Sequence, residues 1–190
     1  RIFDGTLIYR FFGLVQRGFS QTIQLAKQLD KSMVNLRIVT GGTKSETREL
    51  VNVYAQLAKQ LGVTTQEVVN GATEWLRQGY TVQESQKLVT ASVYLSKLGM
   101  IESGQATEYL TSVLKGFKLE TSEAVSVVDK LTKVDLEAAT SAGNIAEALS
   151  RTSVSAQNVG VDLDRLIGYV TEVLQVTQKS ASSVGESFKT

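Results

Sequence analysis

The chain has 190 residues, of which 20 are basic and 19 acidic for a net charge of +1, and it contains no cysteine, histidine or proline. Disulfides, thiolate nucleophiles, zinc sites and imidazole acid–base chemistry are thereby excluded together, and the near-neutral balance gives the whole chain no strong pull toward nucleic acid or anionic lipid. Without proline every obligatory helix breaker is gone, and this length buries about 70% of the unfolded surface, enough for one substantial core or two small ones.

The charge is unevenly placed. Residues 1–40 carry six basic groups (Arg1, Arg10, Arg17, Lys27, Lys31, Arg37) against Asp4 and Asp30, a balance of +4, and the rest of the chain is −3. In the same segment Ile8, Phe12, Val15, Phe19, Ile23, Ala26, Leu29, Met33 and Leu36 recur every three or four residues. This near-heptad seam predicts one long helix over about 6–38, with Ile8, Phe12, Val15, Phe19, Ile23 and Met33 as candidate oligomer-interface residues. The residues leave three uses open for it: packing on the chain's own domain, self-association as a coiled-coil arm, or binding of a membrane surface by the basic face. Arg10 and Arg17 break the most hydrophobic stretch and no apolar run reaches the roughly 18 residues of a bilayer span, so no stable membrane crossing is expected. A chain that starts at Arg1 with no signal-peptide pattern reads as a piece of a longer one.

Val39-Thr40-Gly41-Gly42-Thr43-Lys44-Ser45 is a loop with paired glycines and a hydroxyl cap, a hinge after the long helix. Its Gly-Thr-Lys-Ser ending has the look of a phosphate loop, but Thr43 separates glycine from lysine and no strand precedes it, so the hinge reading prevails. From 45 to 177 the pattern turns amphipathic and helical six times over. Leu50, Tyr54, Leu57 and Leu61 mark one face; Val68, Ala72 and Leu76 the next; then Leu88, Ala91, Leu95 and Leu98; Ala106, Leu110, Val113 and Phe117; and Ala124, Val128 and Leu131. Gly62-Val63-Thr64 followed by Glu67, and Gly79-Tyr80-Thr81 followed by Glu84, each read as a glycine C-cap leading into a capping box, with Gly160-Val161-Asp162 a looser copy. Thr64, Glu67, Thr81 and Glu84 are the predicted cap residues. Gly62, Gly79 and Gly99 set boundaries 17 and 20 residues apart, and at Phe117-Lys118-Leu119 the glycine is replaced.

Residues 132–144, small and polar, read as a longer connection. Helical spacing resumes with Ile145, Leu149, Leu163, Leu166, Ile167, Val170 and Leu174, and the tail from Ser180 is rich in small residues. The predicted organisation is all-α: a long helix over 1–40, a core of short stacked helices over 45–136, and C-terminal helices over 137–190 that lead into the rest of a longer chain. Catalytic signals are weak. Ser112 and Lys115 have a Ser-x-x-Lys spacing without its companion motifs, Trp75 and the tyrosines fit packing better than base stacking, and Asp129 with Asp135 lacks the further oxygen ligands a metal needs. The residues thus predict a non-catalytic interaction domain without metal or cofactor.

The order of these pieces resembles the core region of bacteriophage tail tape measure proteins. In that family a long helix leads into Val-Thr-Gly, then Glu-Leu, then short helices opened by glycine, hydroxyl and glutamate; here stand Val39-Thr40-Gly41, Glu49-Leu50, Leu61-Gly62-Val63-Thr64 and Gly79-Tyr80-Thr81 with Glu84. Phe117-Lys118-Leu119, Val127-Val128-Asp129-Lys130-Leu131, Ala156 to Leu163, and Gly185-Glu186-Ser187-Phe188-Lys189 are similar to its later motifs, so the likeness runs over about 33–190. Lys118 stands where the family has glycine and Val128 where it has alanine. The resemblance implies a structural protein of the virion, in the tail lumen or tip and assembled in the bacterial host cytoplasm. It implies setting of tail length, nucleation of the tail tube and release during genome ejection. Its implied partners are tail tube, tail tip and assembly chaperone proteins and further copies of the chain, with a trimer favoured, and no sequence-specific nucleic acid. On the residues alone a cellular helical adaptor or scaffold is the alternative.

Overall fold

The computed structural model describes the backbone of residues 5–189 and the side chains of residues 23–189. Among the described residues every regular element is helical: α1 (Gly5–Thr40), α2 (Lys44–Leu61), α3 (Thr65–Arg77), α4 (Val82–Gly99), α5 (Ser103–Phe117), a 3₁₀ turn (Thr121–Glu123), α6 (Ala124–Glu137), α7 (Ala142–Asn158), α8 (Leu163–Thr177) and α9 (Ala181–Ser187). The all-α expectation holds.

Five of the junctions between these elements are built alike. At the ends of α2, α3, α4, α5 and α7 one residue turns left-handed: Gly62, Gly79, Met100, Lys118 and Gly160, with φ between 52° and 92°. The next amide then reaches back five residues, as in Val63 N to Ala58 O at 3.0 Å and Leu119 N to Leu114 O at 2.8 Å, which closes a Schellman turn. That next residue is apolar each time (Val63, Tyr80, Ile101, Leu119, Val161), and each packs on the core. The residue after it caps the following element: Thr64, Thr81, Glu102, Glu120 and Asp162. Three residues therefore end one helix, anchor the turn and start the next.

Two sequence expectations change. Gly99 marks no left-handed boundary; Met100 takes the positive φ, while Gly99 is the last residue of α4 and buried. Residues 132–144 are no long connection, since α6 runs to Glu137 and α7 begins at Ala142. The small residues there serve close packing. A Cβ on Gly143 would lie 2.5 Å from the Gly99 carbonyl oxygen and 2.7 Å from Ile101, so the end of α4 crosses the start of α7 at backbone contact. Leu98, placed on the apolar face by its spacing, is 47% exposed because α4 turns its neighbour Gly99 inward.

Helix α7 is the hub. It packs on α4, α5, α6, α8 and α9, and its buried positions are mostly Ala, Gly, Ser and Thr, with Ile145 and Leu149 the large ones. Gly116 of α5 lies against Ser153, and a Cβ on Gly185 of α9 would stand 2.6 Å from the Ala148 carbonyl oxygen. The other half of the body centres on α3, which carries α1 and α2 and passes the load to α4. There Trp75 is fully buried and meets the Tyr80 ring edge-on, with centroids 5.5 Å apart. Tyr54, also fully buried, has its hydroxyl 2.9 Å from Ser85 Oγ, linking α2 to α4.

Gly143→Ala forces a methyl into backbone atoms that cannot swing away, so urea unfolding should show a loss of about 1–3 kcal/mol. Gly168→Ala, mid-helix in α8 with no atom within 4 Å of the added carbon, should instead gain about 0.5–1 kcal/mol.

Candidate interaction surfaces

The cap residues form the first constellation. At the head of α3 the Thr64 amide and hydroxyl donate to Glu67 Oε2 at 2.9 and 2.8 Å, and the Glu67 amide donates to Thr64 Oγ1 at 3.2 Å. Thr81 and Glu84 repeat this at α4, with 2.8, 2.7 and 3.2 Å. A third box opens α2, where Thr43 donates to Glu46 from its amide at 2.7 Å and from its hydroxyl at 2.9 Å. The hinge motif hid this one, although Thr43-Lys44-Ser45-Glu46 carries the S/T-x-x-E signal. The Thr43, Thr64 and Thr81 amides hold the Glu46, Glu67 and Glu84 carboxyls below the usual carboxylate range, with their hydroxyls adding to the effect.

Glu67 does more than close its box. Its other oxygen accepts from Ser103 Oγ at 3.3 Å, at the start of α5. Lys97, near enough to lower the Glu67 pKa further, donates to the Leu61 and Gly62 carbonyls at 2.5 and 3.3 Å. An ammonium from α4 thus caps the C-terminus of α2, where the exposed carbonyls and the helix dipole favour a cation. The four helix ends around the α2–α3 and α4–α5 turns are joined by one polar clasp. Lys97 and Ser103 were not legible as its members, since their partners lie 36 residues away.

The second constellation is α1, whose 36 residues make a rod about 54 Å long. Ile8, Phe12, Val15 and Phe19 lie outside the residues whose side chains are described. Residues 23–28 are exposed on every side, with Ile23 at 53%. Met33 is partly buried against the chain's own core and Leu36 is fully buried there. Among the residues with described side chains, the helix is therefore docked near the hinge and exposed over 23–28. Ser32 Oγ lies 2.7 Å from Asn70 Oδ1 on α3 and 3.1 Å from the Gln28 carbonyl. Beside this contact a cleft of about 600 Å³ opens between α1 and α3–α5, lined by Lys31, Asn35, Asn70, Arg77, Ser92 and Gly104 among others.

The remaining sequence candidates are separate from both. Ser112 Oγ donates to the Glu108 carbonyl at 3.0 Å, a bond within its own helix. Lys130, next to Asp129, pairs with Asp164 at 2.6 Å. Among the described residues no group of three or more acidic side chains is placed to hold a metal ion, and no helix is long and apolar enough to cross a membrane.

The chain is an all-α protein, a body of short, closely jointed helices that carries a long helix at its N-terminal side. The comparison with protein families makes this specific: residues 52–190 match the family of phage-related minor tail proteins, and the chain belongs to that family. It is a virion-associated structural protein of a phage tail, not the cellular adaptor that the residues alone left open. No solved structure matches it.

The lowered carboxyl pKa values fix the sign of a pH effect. Groups with a folded pKa below the unfolded value stabilise fully above the ordinary carboxylate range near 4.5 and lose that contribution as pH falls through the folded value. Urea midpoints should therefore drop below about pH 4.5. Glu67→Gln should be less stable than the parent chain at pH 7, with the gap narrowing toward pH 3; parallel profiles would show that Glu67 contributes nothing as an anion. Thr64→Ala should cost about 1 kcal/mol at pH 7.

Proposed function

We propose that this chain is the helical core segment of a tail tape measure protein, one that sets tail length, nucleates tail tube assembly and is released during genome ejection. The observation that carries the reading is the pairing of a body matched by the minor tail family from residue 52 with a long helix whose upstream part stands clear of that body over 23–28. The order of motifs from Val39 to Lys189, similar to the tape measure core, supports it. In this role the protein works by packing and binding and performs no catalysis. The tail tube, tail tip and an assembly chaperone are its partners, the tail lumen or tip is its place, and the α1 seam joins copies of the chain, with a trimer favoured by the resemblance.

A ruler and a joint respond differently to deletion. In the extended helical portions of the parent protein, an in-frame deletion should shorten the tail by about 1.5 Å per residue removed. Removal of residues 79–117 takes out α4 and α5, strips α3 and α7 of their packing partners and should abolish normal tails instead of shortening them. Electron microscopy of virions distinguishes the two, and normal tails of unchanged length from both deletions would exclude the ruler.

For the seam, light scattering on the chain should report an oligomer, and Phe12→Asp combined with Phe19→Asp should reduce its mass toward that of a monomer. A monomeric mass for the unmutated chain would reject self-association through α1.

A further inference from the structure

The seam on α1 is one stripe in sequence but has two fates in the structure. Ile23 is 53% exposed and Ala26 exposed, Leu29 and Met33 are partly buried, and Leu36 is fully buried. Contact with the body tightens toward the hinge and fades away from it. Leu29 and Met33 keep part of their apolar surface in water even when α1 is docked, and a further partner could cover it.

Little else holds α1 down. Among the described residues the side-chain hydrogen bond between α1 and the rest of the body is Ser32 to Asn70, and Asn70 is exposed, so water competes for it. No ion pair joins α1 to the body among these residues. The cleft runs beside the contact and leaves that edge of α1 unsealed. α1 connects to α2 through residues 41–43: Gly41, at φ 66°, has nothing within 4 Å of where a side chain would begin, its amide donates to the Arg37 carbonyl at 2.9 Å, and the Gly42 amide donates to Thr40 Oγ1 at 3.4 Å.

We propose that Leu29, Met33 and Leu36 form an interface with two alternative occupants: the α2–α3 layer of the same chain, and α1 of a second copy. The proposal rests on the reading that the α1 seam self-associates. A bundle that starts upstream uses Ile23 and Ala26 freely, then meets the chain's own body on the same stripe at Leu29. To zip one heptad further, α1 must swing away about Gly41-Gly42, and its docked face passes from the body to the neighbouring helix. Docking and bundle length are then linked: each copy that joins the bundle draws α1 off its body, and a body that grips α1 keeps the bundle short.

Because the chain has no cysteine, Ser32→Cys with Asn70→Cys can be joined by a short bis-maleimide without competing reactions. Sedimentation equilibrium of the locked and unlocked forms of this variant, and of Asn70→Ala, measures association over a range of concentration. The locked form should associate about tenfold more weakly than the same variant before crosslinking. Asn70→Ala, which loosens docking and leaves the seam intact, should associate several-fold more tightly than the parent. Circular dichroism of each form confirms that the body stays folded. Equal association of locked and unlocked forms would overturn the shared stripe while leaving self-association standing. Monomers at every concentration in all forms, the parent included, would overturn self-association and the shared stripe with it.

Discussion

The body depends on turning the chain between helices in three or four residues. Such a turn requires one left-handed residue, because only that conformation lets the last carbonyls of a helix be bonded by the two amides that follow. It then requires an apolar residue to hold the turn against the core and a capping residue to satisfy the first amides of the next helix. Five junctions carry the left-handed residue, the apolar anchor and the N-cap residue in the same order, and at three of them, Thr64, Thr81 and Asp162, the cap side chain accepts from an amide of the next helix. With no slack in the connections, the angle between successive helices is set by the turn and by packing together. The apolar anchors Val63, Tyr80, Ile101, Leu119 and Val161 make every turn part of the core it connects.

Short joints would be useless if the helices could not approach one another, and α7 supplies that condition. Gly99, Gly116 and Gly185 bring three neighbouring helices to backbone distance along it, and its own face is mostly alanine, glycine, serine and threonine. Apolar contact is bought here by proximity instead of bulk. Ser153 and Thr152 stay tolerable in this core because their hydroxyls are bonded, to the Leu149 and Phe188 carbonyls at 2.6 and 3.2 Å. The Phe188 bond also ties the segment after α9 to the hub.

This division of labour explains what could be read in the sequence. The helical class and most core faces were legible because Leu, Val and Ile recur at the helical period, and the Thr64 and Thr81 boxes lie next to glycines that announce them. Met100 escaped notice as a left-handed residue because side chains rarely adopt that conformation and nothing local marks it, whereas Lys118 stands at a boundary where the sequence already shows glycine replaced. Gly99 misled for the converse reason: glycine near a helix end can serve a turn or a close crossing, and only Gly143, 44 residues on in the chain, tells which. The run 132–144 reads as loop for the same cause, since Ala142 and Gly143 are small for the sake of α4 and not for flexibility. The Lys97 clasp has no local signature at all; it exists only once the ends of α2 and α4 have been brought together.

The contrast between arm and body bears on what a length-setting protein would need from this segment. A continuous helix adds about 1.5 Å for each residue, and α1 spends its 36 residues that way. The roughly 150 residues that follow would span about 225 Å as one helix, yet folded compactly they have a radius of gyration of roughly 15 Å. The body therefore adds almost a fixed increment to any ruler, whatever its exact sequence. Selection for length would act on extended helices outside it, and selection on the body would act on its turns and on the hub at α7. Under the proposal that α1 exchanges its packing, the arm turns on the body at Gly41-Gly42, where Gly41 has φ 66°. Under the proposed role, measurement belongs to the rods, and this body supplies the fixed point from which a rod is held.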